Sequence, residues 1–162
     1  MKKDIAHKKE YFHISSSKNK VEIISEGIKS DNKKIFVSDN EEQLALIAHS
    51  QIFLREYSVF KISSLGITGK IKADNVAEIG NQHQFIISQD LINPEHIIHL
   101  RDEKWNQWDL AEHCTRIKYE IMGFVDVESI LELMVSYSND WCLHYNKKYN
   151  KTVECINLKV KL

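Results

Sequence analysis

The chain has 162 residues, 43% hydrophobic and 28% charged, enough for one globular domain with a real core. Its formal net charge of −1 excludes a strong long-range pull toward nucleic acid or an anionic membrane. One proline and five glycines argue against disorder or a repeat array, and no apolar run approaches the roughly 20 residues of a membrane span.

Residues 1–9 read as a charged tail without the apolar stretch of a secretory signal. Tyr11-Phe12-His13-Ile14 suits a short strand. Ser16 or Ser17 can cap a helix with Val21, Ile24 and Ile28 on its apolar face and Gly27 near its end. "KIFVS", residues 34–38, is a second strand. Ser38 with Glu41, or Asp39 with Glu42, offers a capping box. The helix it would open presents Leu44, Ile47, Ala48 and Ile52 on one side.

Four β-like runs follow: "YSVFKI" (57–62), "GITGKIKA" (66–73), "HQFIIS" (83–88) and "HIIHL" (96–100), each bounded by Gly, Asn, Asp or Pro. Beyond residue 101 the pattern turns helical. "EKWNQWDLAEHCTRI" reads as one helix and "SILELMVSYSNDWCLHY" as a stronger one, with Ile130, Leu133, Met134, Tyr137 and Trp141 spaced by three and four. "VECINLKVKL" alternates like a closing strand. The order predicts an α+β chain with clustered antiparallel strands rather than a doubly wound sheet. The boundaries expected are a core over 10–100 and a C-terminal extension over 101–162 packed on it.

Cys114, Cys142 and Cys155 are odd in number and lack C-x-x-C spacing, so reduced thiols in a cytoplasmic protein are expected, with no structural zinc. His96 and His99, three apart on a strand, point to opposite faces and do not share an ion easily. Trp105 and Trp108, beside Asp102, Glu103 and Asp109, suit either a partner-binding patch or packing. Neither a glycine-rich phosphate loop nor a Ser/His/Asp or Cys/His triad is visible.

Three segments together resemble the motifs of the ADP-ribosyltransferase fold, in order and spacing, over roughly residues 10–100. "YFHISSSKNKVEIISEGI" resembles its first motif, an aromatic-x-His-x-Ser/Thr strand end followed by a helix. "KKIFVSDNEEQLALIA" resembles the second, a strand running into an Ala-rich helix. "NQHQFIISQDLINPEHII" resembles the third, a Gln/Glu-x-Glu loop leading into an apolar strand. The resemblance implies a split β-sandwich of two roughly perpendicular sheets with a C-terminal helical appendage, and NAD as cofactor.

The same resemblance implies roles for single residues. His13 matches the histidine that bonds the ribose beside nicotinamide, and Ser15 the small polar residue that helps seat the nicotinamide side. Phe36 falls where many members stack a tyrosine on the nicotinamide ring; it keeps the ring face and lacks the hydroxyl. Tyr57 is a second stacking candidate. Gln82 and Gln84 fall on the Gln/Glu-x-Glu pair, so Gln84 stands where the catalytic glutamate is expected.

That last match is the main departure. Breaking the ribose–nicotinamide bond builds positive charge on C1′, as glycoside cleavage does. A fixed carboxylate stabilises that charge, whereas an amide brings none. Three explanations stay open: a binding module without activity, a transferase that recruits another acid such as Glu78 or Glu95, or a Glu→Gln exchange carried by this chain. The function expected is ADP-ribosyl transfer from NAD to an unknown acceptor (protein, nucleic acid or small molecule), of the kind found in bacterial or phage toxins. A partner protein is expected to meet the C-terminal extension, and no membrane is involved. The alternatives are a silent module binding NAD, ADP-ribose or a partner, of antitoxin or immunity type, and the related NAD-dependent RNA 2′-phosphotransferase chemistry. The last would want converging Arg and Lys, and only Arg55 lies near the motifs.

Overall fold

The computed structural model describes residues 10–50, 54–74 and 83–156. The chain is α+β and divides into two compact units, Met1–Trp105 and Asn106–Leu162. In the first unit the elements run β1 (Tyr11–Ser16), α1 (Lys20–Glu26), β2 (Ile28–Lys29), β3 (Ile35–Ser38), α2 (Leu44–Ser50), β4 (Glu56–Ile62), β5 (Lys70–Ala73), β6 (Gln84–Ser88), β7 (Leu91–Ile92) and β8 (Ile97–Lys104). All strand pairs are antiparallel. They form a six-stranded sheet in the order β5-β6-β3-β1-β4-β8 and a two-stranded sheet, β2-β7.

The centre of the large sheet is thin. β1 pairs with β4 over six residues, Tyr11↔Ile62 to Ser16↔Tyr57, but with β3 through the single pair Phe12↔Ser38. The sheet therefore consists of two three-stranded halves, β5-β6-β3 and β1-β4-β8, joined at one point. Successive strand residues point to opposite faces, and both faces of β1 are covered. Tyr11 belongs to a cluster with Ile23, Ile28, Ile35, Val37, Phe60, Ile62, Ile87 and Ile92. Phe12 and Ile14 belong to another with Leu44, Ala48, Tyr57 and Val59. Helix α1 and the β2-β7 ribbon thus cover one face, and α2 covers the other.

Local chemistry explains where the elements begin and end, with several differences from the pattern-based expectations. α1 starts after a 3-10 turn, Ser17–Asn19, capped by Ser16. Its buried residue is Ile23, while Val21 (74% exposed) and Ile24 point outward. Ile23 packs into the cluster with Tyr11, Ile28 and Ile92, and Lys20, three residues before it on the same helix face, reaches the Asp102 carboxylate with its Nζ at 2.7 Å. Gly27 ends the helix at φ 91°, and a Cβ there would sit 2.2 Å from the Ile92 carbonyl oxygen, so glycine lets β2 reach β7. Neither Ser38 nor Asp39 caps the next helix. Asn40 does, its Oδ1 accepting from Glu42 N at 3.0 Å, ahead of a 3-10 turn and α2. Ile52 lies outside the described residues.

The first unit continues to Trp105 because Arg101–Lys104 complete β8, paired with Glu56–Val59. The second unit holds α3 (Gln107–Ile121), α4 (Val127–Ser136) and α5 (Asn139–Tyr149). The helix expected across 129–145 is broken: Ser138 caps α5 by accepting from Trp141 N. The break shifts the helical phase. Val127, Leu131 and Val135 become the buried face of α4, while Leu133 and Tyr137 are exposed. Trp108 stacks on Trp141 at 6.1 Å beside Leu131, Val135 and Tyr145. Buried Glu112 is matched by Arg116, Lys148 and Tyr149, and Glu128 by Arg116, Lys151 and Tyr145. These donors hold the Glu128 carboxyl down at about 2, led by Arg116. No described helix is long and apolar enough to cross a membrane.

The expectation of reduced thiols is overturned by a disulfide between Cys142 and Cys155. Asn150 takes a left-handed conformation at the end of α5 and turns the chain back along the helix. There the Asn146 side chain bonds both Val153 N and Val153 O, at 2.9 and 2.8 Å. That return is why Val153–Cys155 is not a strand; residues 157–162 lie outside the described set. Cys114 is the remaining cysteine, its buried thiol pushed up to about 12. Thiol titration of the unfolded, unreduced protein should find one reactive cysteine, and three would overturn the pairing. Cys155→Ser should lower stability by about 3 kcal/mol, read as a shift in denaturant midpoint followed by tryptophan fluorescence.

Candidate functional site

Register decides which candidate residues meet. On β3 and β6 the pairs Phe36↔Ile86 and Ser38↔Gln84 put Phe36 and Gln84 on one face. Phe12↔Ser38 extends that face to Phe12 and, by alternation, to Ile14 on β1. With Leu44 and Ile47 of α2, these residues line a shallow pocket of about 20 Å³, which also touches Val37. It has room for a single water and little more.

Two side chains distinguish this pocket from ordinary core. Phe36 is 47% exposed, so its ring is open to a planar ligand. Gln84 is only 6% exposed, and among the described residues its side-chain amide makes no hydrogen bond. Gln89 shows what a structural buried glutamine does in the same unit. Its Oε1 accepts from Thr68 N and Gly69 N, and its Nε2 donates to Gly66 O and Leu91 O, all within 2.7–3.0 Å. Gln84 has no such set of protein partners among the described residues, and its amide, unlike Asn139 Oδ1, is not a buried atom left unpaired; it is open to the pocket.

His13 and Ser15 are on the other face. His13 is directly opposite buried Phe60, and Ser15 opposite Ser58. The His13 ring fills the opening where β1 leaves β3, donating from Nδ1 to the Phe36 carbonyl at 2.8 Å. Burial pushes its pKa below the ordinary value, outweighing the bond to Phe36 O that favours the protonated ring. Ser15 Oγ accepts from Asn19 Nδ2 at 3.0 Å. Beside it, Ser58, His99 and Lys20 all donate to Asp102, the lysine bond being the largest of several that depress this carboxyl.

The remaining candidates separate further. Tyr57 shares the pocket's face but is 2% exposed, packed in the core with its hydroxyl accepting from Trp105 Nε1 at 3.2 Å. Gln82 and Glu78 lie outside the described residues. Glu95 sits ahead of β8, four strands from β6 in the sheet order, beside His96. Trp105 and Trp108 are both packed rather than displayed. Among the described residues no three His, Cys, Asp or Glu side chains could hold a metal ion.

Ordinary strand reading missed the Asp39–His83 pair, Nδ1 to Oδ1 at 2.8 Å, which closes the β3-β6 ladder on the His13 face. It also missed Asp74, 3% exposed, whose N donates to Gln84 O at 2.9 Å. A signal for both lay in polar residues abutting apolar runs at strand ends.

The lowered His13 pKa has a stability consequence. The folded protein resists protonation, so the full contribution of neutral His13 is present above about pH 6.5 and is lost as pH falls below it. The denaturant midpoint should therefore fall between pH 7.5 and pH 5, and fall less in His13→Gln. Equal pH dependence in both proteins would remove His13 as the cause.

Comparison with family models, curated proteins and solved structures finds no match for the chain, so its site is read from its own residues.

Proposed function

We propose that the first unit is an NAD-binding domain of the ADP-ribosyltransferase kind, which breaks the bond between nicotinamide and ribose and passes ADP-ribose to an acceptor. The observation that carries this reading is the divided sheet. Two three-stranded halves meet at the single pair Phe12↔Ser38, and beside that pair an exposed Phe36 ring and the Gln84 amide share one pocket. The six-stranded sheet is continuous and no perpendicular pair of sheets is described, but its narrowing to one pair beside an aromatic and an amide is what supports the split arrangement that the motif resemblance implies.

In this reading the nicotinamide ring stacks on Phe36. A pocket that holds one water cannot enclose the ring, so the ring would lie over the exposed face of Phe36 at the pocket mouth. Gln84 Oε1 accepts from a ribose hydroxyl. His13 serves from the opposite face as the clasp that holds β1 to β3, and not as a ribose contact. Exposed apolar residues of the second unit, among them Val125, Leu133 and Tyr137, offer an acceptor or partner protein a surface.

A binding-only role is the second reading, and one observation favours it: position 84 carries no charge. Titration calorimetry with NAD and a nicotinamide-release assay separate the two. NAD binding is expected for the wild type, and Phe36→Ala should weaken it by about tenfold, the worth of one stacked ring. Gln84→Glu should raise nicotinamide release by roughly 10²–10³. NAD binding with release only from Gln84→Glu would establish the silent module. Absence of NAD binding in both proteins would sink the transferase and NAD-module readings together.

A further inference from the structure

We infer that Lys70 and Lys72 hold the two phosphates of the dinucleotide on the open face of β5 and β6; the inference deepens the NAD reading above and rests on it. Register places them. The pairs Phe36↔Ile86 and Lys72↔Ile86 put Lys72 in one row with Phe36, and directly opposed residues share a face. Lys70, paired with Ser88, is two residues from Lys72 and on the same side. Both lysines are therefore on the face that carries Phe36 and Gln84, one strand beyond Gln84.

This part of the face is open. α2 packs over Phe12, Ile14, Tyr57 and Val59 of β1 and β4, whereas Lys70, Lys72 and Ser88 are exposed. The opposite face of the same strands is closed, with Ile35 and Ile87 buried and Ile71 packed against them. The distribution of ion pairs singles out the two lysines. Lys20, Lys29, Lys61 and Lys104 of this unit each reach a carboxylate. Lys70 and Lys72 make no ion pair among the described residues. Lys34, just ahead of β3 at the Lys70 end of the ladder, adds a third exposed cation without one. Lysines on an edge strand discourage pairing with other chains, but that task needs neither an exposed ring nor an amide on the same face.

The order of side chains across the strands matches the order of groups in the ligand. Phe36 on β3 takes the nicotinamide ring and Gln84 on β6 a ribose hydroxyl. β5 comes next, where the ligand continues from ribose into its phosphates. Neighbouring strands are about 4.8 Å apart, and residues two apart on one strand are about 6.8 Å apart. Two ammonium groups on flexible stems can therefore converge on one pyrophosphate, each acting as a point charge.

The test is titration calorimetry at low salt with NAD and with nicotinamide riboside, which keeps the ring and ribose and has no phosphate. The proteins are the wild type, Lys70→Gln, Lys72→Gln, the two glutamine changes together, Lys70→Arg with Lys72→Arg, and Lys18→Gln as an exposed control. Each is checked for folding by thermal melting. Each single glutamine change should weaken NAD binding about fivefold and the pair on the order of twentyfold, with nicotinamide riboside unaffected. The arginine pair should retain most of the NAD affinity, and Lys18→Gln all of it. Added KCl should weaken NAD binding more in the wild type than in the glutamine pair. Should the glutamine pair fail to fold, the two single variants decide by the same comparison. Wild-type NAD affinity and salt response in the folded glutamine pair overturn the phosphate contact and leave the NAD reading standing. An equal loss of nicotinamide riboside binding overturns it too, because the ring end has then been disturbed. A thymidine oligonucleotide that binds more tightly than NAD, and is lost in the same variants, assigns the lysines to a nucleic-acid backbone and overturns the dinucleotide assignment. Absence of NAD binding in the folded wild type overturns the underlying reading along with this one.

Discussion

The backbone ladder across the middle of the first unit comes down to one strand pair, and one side chain extends it. Phe12↔Ser38 joins the two halves of the sheet, and where the ladder then stops, the His13 ring bonds the Phe36 carbonyl that would otherwise seek a backbone partner. A buried carbonyl left without a donor is unfavourable, so the clasp lets β1 and β3 diverge without an exposed seam. The rest of the site follows from that divergence. Phe36 is left half exposed on the far side, α2 lies over the junction through Leu44 and Ile47, and Gln84 completes the wall.

The disposition of charge separates structure from chemistry. Asp102, Glu112 and Glu128 each take several donors, as a carboxylate fixed for stability does. The second unit goes further, combining two such networks around α3, α4 and α5 with a disulfide that ties its last described turn to α5. Small helical units bury too little to be very stable by themselves, which gives these staples a purpose. Gln89 is saturated in the same way within the first unit. Gln84 has no such set of partners among the described residues.

Much of the fold was legible in the residues. The strands at Tyr11, Ile35, Tyr57, Lys70, Gln84 and Ile97 follow from short apolar or alternating runs between turn residues, because the pleat imposes a period of two. Helix phase was less legible. Val21 and Ile24 form a reasonable apolar stripe, yet the short α1 buries Ile23 against residues distant in sequence, such as Phe60, Ile87 and Ile92, with Lys20 on the same side bonded to Asp102. Spacings of three and four run unbroken past Ser138, where a capping hydroxyl stops one helix and starts another. The cysteines misled for a similar reason: a separation of 13 residues has no local signature until Asn150 reverses the chain.

By itself the sequence determined that His13 and Ser15 lie on one side of β1 while Phe12 and Ile14 lie on the other, since alternation is a property of the backbone. It also placed an aromatic ring at 36 and an amide at 84 at comparable strand positions. Only the tertiary structure decided which of these share a pocket. Pairing register is a long-range matter, settled by which faces bury most apolar surface, and it joins Phe36 and Gln84 to Phe12 rather than to His13. The same register brings Asp74 opposite Gln84, a neighbourhood that no spacing along the chain could state.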